Sequence, residues 1–112
     1  MNGLNNCTYI EQVRGYPYMS VKQVAKEMDC STRTVFSRIQ GIKSEVKKGR
    51  YNDYAVLESD RSPRVNFYVY IDYEKYWKLL EDKNQRKYVP TFRPDQIAKI
   101  CGFRQKLVTM EE

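Results

Sequence analysis

The chain contains no histidine, so the commonest general base and the commonest metal ligand are both missing. Its three cysteines, Cys7, Cys30 and Cys101, are an odd number without metal-like spacing. Reduced, semi-buried thiols are expected rather than a zinc site or a disulfide framework. The five glycines and four prolines are scattered, and none builds a phosphate-cradling loop. No apolar run approaches the length of a membrane span, and the N-terminus lacks the basic-then-apolar design of a signal peptide. Tyrosine is abundant at ten residues, but a tyrosine nucleophile would need an arginine with a histidine or lysine around it, which so small a chain can hardly assemble. The expectation is a soluble, cytoplasmic protein that is not an enzyme and takes no cofactor, metal or small-molecule substrate.

What is present is positive charge. Twenty Lys and Arg against fourteen Asp and Glu give a net charge of +6 and a pI near 9.2, which favours a polyanionic partner. The excess falls on residues 31–71 and 83–112, whereas 1–30 balance and 72–82 are net acidic. At 112 residues the chain is long enough for one domain with a modest core.

The informative stretch is Ser20 to Ile42, SVKQVAKEMDCSTRTVFSRIQGI. Ser20 with Gln23 three residues on forms a capping box, and Val21, Val24, Ala25 and Met28 follow at helical spacing. Asp29-Cys30 breaks the period. Ser31 then caps a second helix with apolar positions Val35, Ile39, Ile42 and Val46. Small Ala25 allows two helices joined by a tight turn to cross closely. With Val35 pointing inward and 100° per residue, the outward positions are Arg33, Ser37, Gln40 and Ser44, flanked by Phe36 and Lys47. This outer face is polar, basic and free of carboxylates.

SVKQVAKEMDCSTRTVFSRI resembles the helix-turn-helix of the excisionase and MerR-like group in its small Ala25, its capping Ser31 and the Thr34-Val35-Phe36 opening of the second helix. Asp29 stands where those proteins usually carry a glycine, and Asp tolerates a left-handed backbone better than most residues. The resemblance covers residues 18 to about 83. It implies a winged helix-turn-helix and binding to double-stranded DNA of a phage or mobile element, as an excisionase-like accessory factor or a small repressor.

Beyond Ile42 the helical period continues to Val46 and stops at Gly49 after Lys47 and Lys48. Gly41 either ends the helix or marks a close approach of the backbone, to helix one or to a phosphate. Tyr54–Leu57 and Val65–Ile71 predict a β-hairpin with a loop of about seven residues, which is the winged-helix order. Arg61 and Arg64 would lie at the wing tip, where arginine meets phosphates or a narrow minor groove. Asp72 is expected to cap a third helix with the core stripe Tyr73, Tyr76, Trp77 and Leu80.

Asn84 to Pro94 predicts a linker, and DQIAKIC a short amphipathic helix ended by Gly102. Ile97–Val108 matches Val24–Val35 in the Ala, the Lys and the final Val, which leaves open a partial second helix-turn-helix or a coincidence. Thr8 to Val13 reads as a short strand or a turn of helix. The expected class is therefore α+β, with an arm over 1–17, a winged helix-turn-helix over 18–83, a linker over 84–94 and a short helical tail over 95–112 that offers self-association. DNA contacts are expected from Thr32, Arg33, Phe36, Ser37, Gln40, Lys47, Lys48, Arg61 and Arg64. The other class that fits is a protein-binding module, an inhibitor, decoy or antitoxin-like partner on the same scaffold.

Overall fold

The computed structural model of the chain describes residues 7–12, 17–59, 62–101 and 105–110. It is an α+β arrangement with four helices and a three-stranded antiparallel sheet. The sheet has the order β2 (Tyr18–Ser20), β4 (Arg64–Asn66), β3 (Val56–Leu57). Met19 pairs with Val65 and Val65 with Val56, and the buried Met19 and Val65 face the helices from the sheet.

Helix α1 (Val21–Glu27) begins with the capping box read from the sequence. Ser20 Oγ accepts from the Gln23 N–H at 3.2 Å, and Gln23 Oε1 accepts from the Ser20 N–H at 2.8 Å. The turn after α1 carries Asp29 in the left-handed region at φ 50°, a conformation that glycine adopts freely and Asp tolerates better than most residues. Ser31 Oγ accepts from the Thr34 N–H at 3.1 Å and opens α2 (Thr32–Lys47). Val24, Val35, Ile39 and Ile42 are fully buried in the seam, with Ala25 at the crossing.

Gly41 does not end α2. A Cβ built there would lie 1.9 Å from Tyr73 Oη and 2.4 Å from its Cζ. The close approach is thus to the third helix, not to helix one.

The expected long hairpin strands are shorter, for a local reason. Asn52 Oδ1 accepts from the Tyr54 N–H at 2.9 Å and winds Asp53–Ala55 into a 3-10 turn, so β3 keeps only two residues. Ser59 Oγ accepts from the Ser62 N–H at 3.2 Å and donates to the Ser62 carbonyl oxygen, closing the loop.

On the far side, Asn66 Oδ1 accepts from the N–H groups of Tyr68 and Val69, at 2.9 and 3.3 Å. It therefore caps α3 (Phe67–Glu81), and Phe67–Ile71 is helix instead of strand. Branched and aromatic residues favour strands only weakly, and burial of Val69, Tyr70 and Tyr73 against the core decides the outcome.

Asp72 is consequently not a cap. It lies mid-helix and 5% exposed, where it accepts from Arg50 Nε at 3.0 Å, Arg50 Nη2 at 2.9 Å and Tyr51 Oη at 2.5 Å.

Residues 84–94 are held rather than free. Arg86 makes a bidentate pair with Glu45 of α2, at 2.8 and 2.5 Å, and donates to the Leu80 carbonyl at 3.1 Å. Arg50 Nη1 donates to the Pro90 carbonyl at 2.9 Å, and Phe92 meets Tyr51 edge-on at 5.1 Å. Helix α4 (Pro94–Cys101) then packs on α3 of the same chain through buried Ala98.

The tail is not helical throughout. β5 (Gln105–Met110) pairs antiparallel with β1 (Cys7–Gln12), Cys7 opposite Met110 and Gln12 opposite Gln105. The segment matching the helix-turn-helix therefore makes one helix and one strand, not a second motif.

Two changes test this packing. Alanine at an interior helical glycine ordinarily gains about 1 kcal/mol; Gly41→Ala should instead lower stability by about 1–3 kcal/mol, the cost of overpacking, read as a fall in urea midpoint. Asp72→Ala strands a buried guanidinium and should cost about 3–5 kcal/mol, read the same way.

Candidate nucleic-acid interface

The outer face of α2 is built by its own period. Because Val35, Ile39 and Ile42 turn inward, Thr32, Arg33, Phe36, Ser37, Gln40, Ser44 and Lys47 are left exposed. The sole carboxylate of the helix, Glu45, is 3% exposed and neutralised by Arg86. No acidic residue occupies the first turn of α2, so the positive end of its dipole is uncompensated.

The structure brings part of the expected set together. Thr32 and Phe36 line a shallow depression with Ser20, Val21 and Lys22 of the α1 start and Ser62 of the hairpin loop. Arg64 is exposed and lies in β4 opposite Ser20, so it borders the α1 start rather than a loop tip. Arg33, Ser37 and Gln40 continue the face along α2. Arg61 lies outside the described residues.

Lys47 and Lys48 do not join this group. They stand at the other end of α2, about 20 Å along the helix from Thr32 at 1.5 Å per residue. Lys47 borders Asp53 and Glu58, and Lys48 lies 3.8 Å from Glu45. Lys43 is likewise engaged, with Glu58 at 2.5 Å.

Arg38 is turned inward from the exposed face. Its Nε pairs with Glu74 Oε2 at 2.9 Å, and its guanidinium carbon lies 4.2 Å from the Trp77 ring centre. Trp77 is half-buried against the core and covered by this cation. Two members of the group were not singled out from the sequence, Lys22 and Ser62. A lysine in the first exposed turn of α1 is a readable signal; Ser62 became visible only when the loop closed on α2.

The tyrosines of the core belong to packing. Burial, then the hydrogen bond to Asp72 and its charge, pushes the Tyr51 hydroxyl well above the usual 10.0. Burial, then Glu74 and Cys30, does the same to Tyr70, and burial, then Glu81 and Glu45, raises Tyr73. Tyr70 Oη is buried with no hydrogen-bond partner among the described residues.

Cys30 is half-buried and Cys101 exposed. Among the described residues no cluster of His, Cys, Asp and Glu could hold a metal ion, and no helix is long and apolar enough to cross a membrane. No protein-family model, curated protein or solved structure matches the chain.

The raised tyrosines fix the sign of an alkaline response. Above pH 10.0 the unfolded chain loses phenolic protons that the folded chain retains, so stability that is complete below that pH falls as pH rises beyond it. The urea midpoint should drop steeply from about pH 10 upward. Tyr70→Phe, which sacrifices no hydrogen bond among the described residues, should make that drop shallower without lowering the neutral midpoint.

Proposed function

We infer that the chain is a sequence-specific double-stranded DNA-binding protein of winged-helix architecture, working in the cytoplasm by binding rather than catalysis. The observation that carries this reading is the exposed, carboxylate-free face of α2, which continues onto the start of α1 and the hairpin. An uncompensated helix dipole and Arg33, Lys22 and Arg64 suit phosphates. Ser37 and Gln40 suit base edges, glutamine matching the N6 and N7 groups of adenine.

Strand β2 joining the hairpin, the two helices between them and a third helix after the wing follow the order expected from the excisionase resemblance. That resemblance supplies the context: an accessory factor in excision or a small repressor of a mobile element. Self-association through the tail belongs to the same proposal and is supported by Ile100 of α4, which is 84% exposed.

The experiment is fluorescence anisotropy on random and selected duplexes at several salt concentrations. Affinity should fall linearly on a logarithmic salt scale as counterions are released. Arg64→Ala should weaken all duplexes alike and reduce the salt slope by about one unit. Gln40→Ala should leave the slope unchanged and relax base preference at one position. Silence towards every duplex at low salt would discard DNA as the ligand and leave the protein-binding alternative.

A further inference from the structure

On a face otherwise made of Thr, Arg, Ser, Gln and Lys, Phe36 is 43% exposed. It is the one large apolar side chain that α2 turns outward. Thr32 stands one helical turn before it and shares its side of the helix. The two meet Val21 and Ser62 in the depression between α2, the α1 start and the hairpin loop, and Lys22 borders the same depression.

An exposed aromatic ring on such a face gains free energy by burial against an apolar target. The major groove of DNA offers one such feature on its base edges, the 5-methyl group of thymine. Charge complementarity selects this occupant over an apolar peptide, because the depression contains a lysine, lies beside Arg33 and has no carboxylate among the described residues that line it.

Resting on the DNA-binding reading above, we propose that Phe36, with the methyl group of Thr32, receives the 5-methyl group of one thymine per bound copy. This contact makes the chain discriminate thymine from uracil and cytosine at that position. Lys22 neutralises a phosphate beside the same nucleotide and adds affinity without preference. Arg33, Ser37 and Gln40 read the neighbouring base edges by hydrogen bonds. Phe36 thus sets specificity by shape and hydrophobicity, and the rest of the face sets it by donors and acceptors.

The test uses the full chain and a duplex selected from a random pool. Each thymine is replaced singly by deoxyuridine, which removes the methyl group and keeps every hydrogen-bonding atom. One replacement should weaken binding about fourfold, the worth of one buried methyl-sized group, while the others change little. Phe36→Ala should bind the thymine and uracil duplexes equally at that position, with the salt slope of the unaltered chain retained. The deoxyuridine series needs no variant, so it stands even if Phe36→Ala folds poorly. Tight binding that tolerates uracil everywhere would overturn the thymine contact and leave DNA binding intact. Failure to bind any duplex would remove both.

Discussion

The carboxylate of Asp72 governs how α2, α3 and the segment leading to α4 come together. It lies inside α3, yet its partners Arg50 and Tyr51 come from the chain just beyond α2. Arg50 spends its remaining Nη1 donor on the Pro90 carbonyl, so one buried pair joins α2, α3 and the segment leading to α4. A buried ion pair adds little net stability, because desolvation offsets the attraction. Its contribution is geometric: a guanidinium fork and a phenol at 2.5 to 3.0 Å admit one arrangement of the segments that carry them. Arg86 with Glu45 repeats the device at the end of α2.

These two pairs also explain the electrostatics of the outer surface. α2 holds a single acid, and the fold turns it inward against Arg86. The basic residues divide as well. Arg38, Lys43, Arg50 and Arg86 are matched to Glu74, Glu58, Asp72 and Glu45. Net charge alone therefore overstates the attraction available to a polyanion, while the residues that keep exposed charge on the outer face of α2 and beside the α1 start, Arg33, Lys22 and Arg64, are few.

What could be read from the sequence follows from the range of each interaction. The helix pair was legible because its signals are local: Ser20 with Gln23, Ser31 with Thr34, and Asp29 with its own backbone lie within a turn of each other. The start of α3 was not, because VNFYVYI satisfies a period of two as readily as a buried helix, and Asn66 declares itself as a cap only through its two backbone bonds. Asp72 looked like a cap for the same reason, since an aspartate before a helical stripe has that appearance until its partner is known. Arg50 stands 22 residues away from it, and Glu45 stands 41 residues from Arg86, so neither pairing leaves a trace in local spacing. The site residues divide likewise. Arg33, Ser37 and Gln40 follow from helical geometry, whereas the separation of Lys47 and Lys48 from them depends on α2 running unbroken through Gly41.

Gly41 divides α2 into two halves. From Gly41 onward the helix is held on several sides: Tyr73 presses on Gly41, Glu58 holds Lys43, and Arg86 holds Glu45. Before Gly41, Val35 and Ile39 are buried in the seam with α1, and Arg38 is tied to α3 through Glu74 and Trp77 and points away from the exposed face. Packing of both halves fixes the axis of the helix, and a helix carries that orientation rigidly along its length. Thr32, Arg33, Phe36, Ser37 and Gln40 are thereby presented on a fixed rod while spending none of their own side chains on holding it. A site read by donors and shape needs this arrangement, because groups already satisfied within the protein have no capacity left for a ligand. Tyr73 against Gly41 is thus one point where packing of the core sets the orientation of the exposed face.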